Sequence, residues 1–263
     1  MKRLVSPLLA LASLLPAALA QDAAEPQPTP AAVTPAREVD PTLEKLEKMP
    51  PEKMEKIKKA VNDASVYVGG IRLQEALQKL TEAEAIEPEL FIVQNLKGAV
   101  LTKMRLFDSA RQAFQKAQKL NPASFHPKFN LAEISFVEAA EKTRKGETGA
   151  APLWASAQQQ FQALLAGNAD EATKKLMQFK VVICQLQQGK TAEAEKMAAG
   201  FSYIDDEPIY YMSHAAIEFS KADKEAAQEW INAANRVWST APQAVTVYMD
   251  SFIELGWVET LSL

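Results

Sequence analysis

The sequence predicts an all-α chain built from stacked helical hairpins. Three observations lead there. Lys, Glu, Ala, Leu and Gln dominate the 263 residues and only nine are glycine, a composition that favours helix. No alternating apolar and polar run of strand length is present. Six residues of the stretch 91–124 recur in kind 34 residues earlier in the chain.

The stretch 91–124 justifies the hairpin. Residues 95–105 form one helical run, with Leu96, Val100 and Met104 at i, i+4 and i+8. A second run puts Ala110, Ala113, Phe114 and Ala117 on one face, and Asp108 is its expected N-cap. Small residues at Gly98, Ala110 and Ala117 let the two backbones approach toward the short end of the usual ~8–10 Å interaxial range. Phe114 fills the space they leave. Asn121-Pro122 stops the second helix, because proline disfavours helical geometry in the residue before it. One hairpin of this size cannot bury its apolar face alone, so neighbours are required.

Thirty-four residues before Gly98, Leu101, Ala110, Phe114, Ala117 and Pro122 stand Ala64, Tyr67, Ala76, Leu80, Ala83 and Pro88. Each is of the type its mate requires. The first repeat is therefore about 57–90 and the second 91–124, with Gly69-Gly70 as the first inter-helix turn. These positions and the 34-residue period resemble the tetratricopeptide repeat (TPR) family; with the leader described below, the chain resembles its exported bacterial type. The resemblance implies a right-handed α-solenoid of stacked helix-turn-helix repeats, closed by a capping helix, which usually binds another protein.

Going forward, the repeats become less regular. Ala132 takes the small position of a third repeat, about 125–171, and Ala157 and Phe161 fit its second helix. The spacing requires an insertion near 141–152, which either lengthens both helices or forms a surface loop; a loop is the expectation, and a functional insert the other reading. A fourth repeat, about 175–206, is marked by Val182, Gly189 and Ala194. A fifth, about 207–240, places Ala226, Trp230 and Ala233 in its second helix and His214 where a small residue belongs. Residues 242–255 read as the capping helix, with Val245, Tyr248, Met249, Phe252 and Leu255 in one stripe. Trp257, Val258, Leu261 and Leu263 leave an apolar tail that packs back or meets a partner.

The N-terminal end has a different character. Lys2 and Arg3, the apolar run 8–19 and Ala18-Leu19-Ala20 form a secretory signal, residues 1–20, cleaved to leave Gln21 first. The address is periplasmic or secreted. No transmembrane segment is expected after cleavage, and no cysteine follows the cleavage site to carry a lipid. Residues 21–41, with Pro26, Pro28, Pro30, Pro35 and Pro41, read as an Ala/Pro-rich disordered linker, either a spacer or a simple leader, before the repeat domain of 42–263. The Lys/Glu-rich segment 42–59 reads as a solvated helix face broken at Pro50-Pro51, with a helix starting at Glu52.

Charge and motifs exclude several function classes. Losing Lys2 and Arg3 takes the formal charge from −4 to −6, which argues against nucleic acid. Cys184 is the only cysteine, so no internal disulfide forms; in its apolar run it reads as a buried small hydrophobe. There is no HExxH, CxxC, glycine-rich phosphate loop or GxSxG. His126 and His214 read as structural. Asp205-Asp206-Glu207 reads as helix capping, with cation binding as the other reading. No cofactor, metal or catalytic group is expected. The competing class is a helical enzyme or small-ligand binder with a site built between repeats.

What remains is a binding face. In the TPR family, first-helix positions 2, 5, 9 and 12 line the groove. The resemblance puts Val61, Asn95, Phe129, Phe179 and Tyr211 at position 5, and Ser65, Ala99, Glu133, Ile183 and Ala215 at position 9. The groove thus runs from polar to apolar-aromatic. The candidate partner-binding set is Asn95, Lys103, Phe129, Glu133, Phe179, Ile183 and Tyr211, with Phe129, Phe179 and Tyr211 as aromatic anchors. Two readings stay open: these apolar residues hold a protein or peptide partner, or they pack on one another or on the capping helix. The carboxylate-clamp pattern by which some TPR proteins hold chaperone tails is absent, and the sequence names neither partner nor oligomeric state.

Overall fold

The computed structural model describes residues 41–204 and 207–259; the predicted signal segment, most of the linker, Asp205-Asp206, Leu261 and Leu263 lie outside them. The described residues contain helices and no strand. They divide into two compact units, 41–131 and 132–259.

The first unit opens with a short helix, α1 (Leu43–Glu47), followed by α2 (Pro51–Gly69), α3 (Leu73–Ile86), α4 (Phe91–Lys103) and α5 (Phe107–Leu120). Pro51 sits at N1 of α2, where its missing N–H costs nothing. Glu44–Lys48, Glu52–Lys56 and Lys59–Asp63 form i,i+4 ion pairs on the solvated side. Helices α2 and α3 form one hairpin, α4 and α5 the next, and α3 packs on α4. The small and large positions of both second helices are fully buried: Ala76, Leu80 and Ala83, then Ala110, Phe114 and Ala117. A Cβ on Gly98 would stand 2.7 Å from the Phe114 ring, so glycine there sets the close approach. Thr42 ties α1 down, its Oγ1 accepting from the Phe91 N–H at 3.1 Å.

Two local expectations are corrected here. Asp108 does not cap α5. Leu106 occupies the N-cap position without a side-chain bond, and Asp108 lies in the exposed first turn, where it pairs with Arg111. The inter-helix turn expected at Gly69-Gly70 falls one residue later: α2 runs through Gly69, Gly70 is its C-cap, and the left-handed residue of the turn is Ile71 (φ 59°). The same turn recurs at Arg105 (62°), Gly189 (73°) and Ala222 (63°). In each, the next residue's N–H reaches back five residues to a carbonyl: Arg72 to Tyr67, Leu106 to Leu101, Lys190 to Gln185 and Asp223 to Glu218, at 2.8–3.0 Å. This is the Schellman ending, in which a left-handed residue lets the last carbonyls of a helix find donors.

The second unit takes most of α6 (His126–Lys145), then α7 (Ala150–Leu165), α8 (Glu171–Gln187), α9 (Thr191–Ala198), α10 (Ile209–Ser220), α11 (Lys224–Val237) and α12 (Pro242–Leu255). The insertion is not a loop. It lengthens α6 and α7, joined only by residues 146–149, with left-handed Gly146 and Gly149 in the turn. The extended arms are held by Trp154, whose ring meets Phe136 edge-on at 5.1 Å and whose Nε1 donates to Thr143 Oγ1 at 3.0 Å.

The fifth repeat is displaced by one residue from the expected frame. Ala227, Ile231 and Ala234 are the buried residues of α11, while Ala226, Trp230 and Ala233 are only half-buried. The left-handed Ala222 fixes this frame independently of burial. Ala215, not His214, then occupies the small position of α10 and is fully buried. In α11 the pairs Ala226-Ala227 and Ala233-Ala234 offer a small residue in either frame, whereas His214 at a small position was the mark of the displacement in the sequence.

Candidate partner-binding face

In the unit 41–131, Asn95 on α4 is fully buried. Its Oδ1 accepts from Asn130 Nδ2 at 3.3 Å, while its own Nδ2 meets no acceptor. Lys103, in the last turn of α4, is half-buried. Phe129 is buried, its ring 5.6 Å from Phe125. Across α3, α4 and α5, Glu84 collects Lys97 (2.5 Å), Gln94 (2.8 Å) and Lys116 (3.1 Å). Burial pushes the Glu84 carboxyl up, but these three donors outweigh it and hold the pKa down at about 2.

In the unit 132–259, Phe179 and Ile183 on α8 are fully buried and Glu133 on α6 nearly so. Phe179 meets Tyr248 at 5.0 Å and Phe252 at 5.7 Å, both on α12. Beside it, the Lys180 ammonium lies 3.0 Å from Glu133 Oε1, donates to Ser251 Oγ at 3.3 Å, and stands 4.3 Å from the Phe136 ring centroid. Phe219 on α10 meets Phe252 at 5.1 Å and stacks on Trp257 at 5.3 Å. Trp257 of the apolar tail therefore packs back on its own unit.

Tyr211 belongs to a separate, half-exposed aromatic cluster. It lies 5.8 Å from Trp238 and 6.3 Å from Trp230, and His214 stacks on Trp230 at 4.6 Å. Burial lowers the His214 pKa, so the ring is neutral near neutral pH. Exposed Tyr203 stands at the edge of this cluster, 6.2 Å from Tyr210, which itself meets Trp230 at 5.8 Å.

Five of the seven expected groove residues, Asn95, Phe129, Glu133, Phe179 and Ile183, are thus core residues, and only Lys103 and Tyr211 retain surface. Phe179 packs against the capping helix, which covers it fully within the chain; this is the second of the two readings the sequence left open. Sequence reasoning missed Lys180, Phe219 and Ser251. The readable signal was Lys180 itself, a charged residue inside the apolar run of α8. Buried Cys184 has its thiol pKa pushed up by burial, which keeps it an unreactive thiol. Among the described residues, no group of three or more His, Cys, Asp or Glu could hold a metal, and no helix is long and apolar enough to cross a membrane.

The paired helices and recurring turns define a helical-hairpin repeat protein. No family model and no curated protein matches the sequence. Among solved structures, the chain is similar to a tetratricopeptide repeat protein from Parabacteroides merdae ATCC 43184, with 16% identity and a TM-score of 0.52, over 73% of this chain and 71% of that one. It is also similar to YrrB, a TPR protein with an unusual peptide-binding site, at 15% identity and TM-score 0.45, over 80% of this chain and 97% of that one. The first likeness shows the fold: this is a TPR architecture.

Proposed function

We propose that the chain is a protein-interaction scaffold or assembly factor of a bacterial cell envelope, without catalytic activity, that holds a segment of a partner protein. The hairpin array carries the reading. Stacked repeats of this kind present extended surfaces suited to another chain. The charged start, apolar run and Ala18-Leu19-Ala20 of residues 1–20 support export, with Gln21 as the mature N-terminus and a periplasmic or secreted address. Of the expected contact residues, Lys103 and Tyr211 keep accessible surface for a partner.

The test is a photo-crosslinking residue at position 103 of the full chain in living cells, with one at exposed Asn235 on α11 as control. A discrete adduct from position 103 and none from 235 is expected. Absence of any adduct from 103, or the same adducts from both sites, overturns the reading. N-terminal sequencing of the exported chain is expected to begin at Gln21.

A further inference from the structure

Helix α12 does not stack as the first helix of one more repeat would. It packs on α8, α10 and α11; Ser251 meets the Lys180 ammonium of α8, which itself pairs with Glu133 of α6, and the C-cap Gly256 lies against the Arg144 side chain of α6. One side of the unit 132–259, made by its first helices, is therefore already filled by an amphipathic helix. The filling side of α12 is an aromatic pair one turn apart, Tyr248 and Phe252, with a hydroxyl at Ser251 between them.

We infer that this face is a helix-receiving groove, that α12 is its resident within the chain, and that a partner's amphipathic helix with the same stripe displaces it. The stripe is an aromatic residue at i and i+4 with a small hydroxyl at i+3. This deepens the reading of the chain as a binding scaffold by naming the kind of partner. The ion pair supports it. A permanently covered core is at least as stable with apolar residues as with a buried Lys–Glu pair. A face that is periodically bared to water tolerates that pair, because water then satisfies both charges. Lys180 also fixes register, since only a hydroxyl or another acceptor opposite it completes its bonds. A four-residue connection, 238–241, joins α12 to α11 and gives the helix a short hinge.

A helix held within its own chain competes at high effective concentration, so an added copy binds poorly until the resident is weakened. The experiment uses hydrogen exchange on the full chain, then a labelled peptide of residues 241–256 offered to the full chain and to its Tyr248→Ala/Phe252→Ala variant. Amides of α12 are expected to exchange at least tenfold faster than those of α8 and α10. The peptide is expected to bind the variant at least tenfold more tightly than the unaltered chain. Exchange of α12 in step with α8 and α10 overturns the inference. So does a variant in which α8 and α10 lose protection, or a protected variant that ignores the peptide. Concentration-dependent dimers exchanging α12 would replace the partner by a second copy, also against it. None of these outcomes touches crosslinking from Lys103, so the scaffold reading stands or falls separately.

Discussion

The two units solve one packing problem in different ways. In 41–131 the repeat period is strict, and small residues at fixed positions do the work. Gly98, Ala76 and Ala110 bring backbones together, and Leu80 and Phe114 each fill one gap. Polar groups sit at the seam, with Glu84 joining three helices from its edge. In 132–259 the period breaks. One hairpin is lengthened, the next has an eight-residue second helix, and the last is displaced by one residue. Aromatic rings take up the irregular space: Phe136, Trp154 and Phe161 around α7, and Phe179, Phe219, Tyr248 and Phe252 under α12. Small residues define a period, whereas aromatic residues absorb departures from it, because a large ring spans a gap that no methyl reaches.

The largest expected effect breaks the aromatic side of this comparison. Phe179→Ala removes a fully buried ring between Tyr248 and Phe252 and is expected to cost about 3–5 kcal/mol. Urea denaturation of the full chain measures it. A loss below about 1 kcal/mol would mean the ring is not core and would restore its candidacy as a surface anchor.

The small-residue side is tested next. Ala110→Leu and its repeat mate Ala76→Leu force volume between close helices, at about 1–3 kcal/mol each. Unchanged melting temperatures for both would refute the packing frame of the first two repeats.

This contrast also explains what the sequence made legible. Ala76, Leu80, Ala83, Ala110, Phe114 and Ala117 were readable because fold and period coincide there: a 34-residue offset places the same chemistry in the same packing environment. The fifth repeat was misplaced because Ala226-Ala227 offers a small residue in either frame. The misfit of His214 beside Ala215 was the one mark the sequence carried; the left-handed turn at Ala222 fixes the frame, and alanine carries no sequence mark of positive φ. The candidate binding face was the least legible part. Positions that line a groove and positions that lie under a helix covering it have the same apolar character. Phe179 reads alike in both until α12 is seen on top of it.

A smaller effect probes the polar seam of the first unit by pH. The Glu84 carboxyl is held at about 2 in the folded chain, below its ordinary 4.5, because Lys97, Gln94 and Lys116 bond the charged form. A depressed carboxylate stabilises above its unfolded pKa. Its contribution is therefore complete above about pH 5 and lost as pH falls from there toward 2. Glu84 is partly exposed, so solvent screening limits the expected contribution to about 1 kcal/mol. Glu84→Gln is expected to lower the melting temperature at pH 7 and to leave it nearly equal to the parent's at pH 2. A constant difference between the two proteins across that range would assign the effect to packing instead.

The smallest effect concerns a feature both units share, the left-handed turn. Three of its residues, Ile71, Arg105 and Ala222, carry a Cβ where glycine is at ease, and Gly189 shows the relaxed version. A side chain in that region costs roughly 1–2 kcal/mol, most for a β-branched residue. Glycine gives back roughly 0.5–1 kcal/mol of that through the greater freedom of its unfolded chain. Ile71→Gly is therefore expected to stabilise by about 0.5–1 kcal/mol, since the Ile71 side chain is half-exposed and has little packing to lose. Gly189→Ala is the mirror test and is expected to destabilise by a similar amount. The pair separates turn strain from packing, because both changes act on the same backbone geometry in different surroundings. If Ile71→Gly destabilises while Gly189→Ala does too, the Ile71 side chain contributes contact energy that outweighs its strain. The sum of the two turn effects would then differ between the regular and the irregular unit.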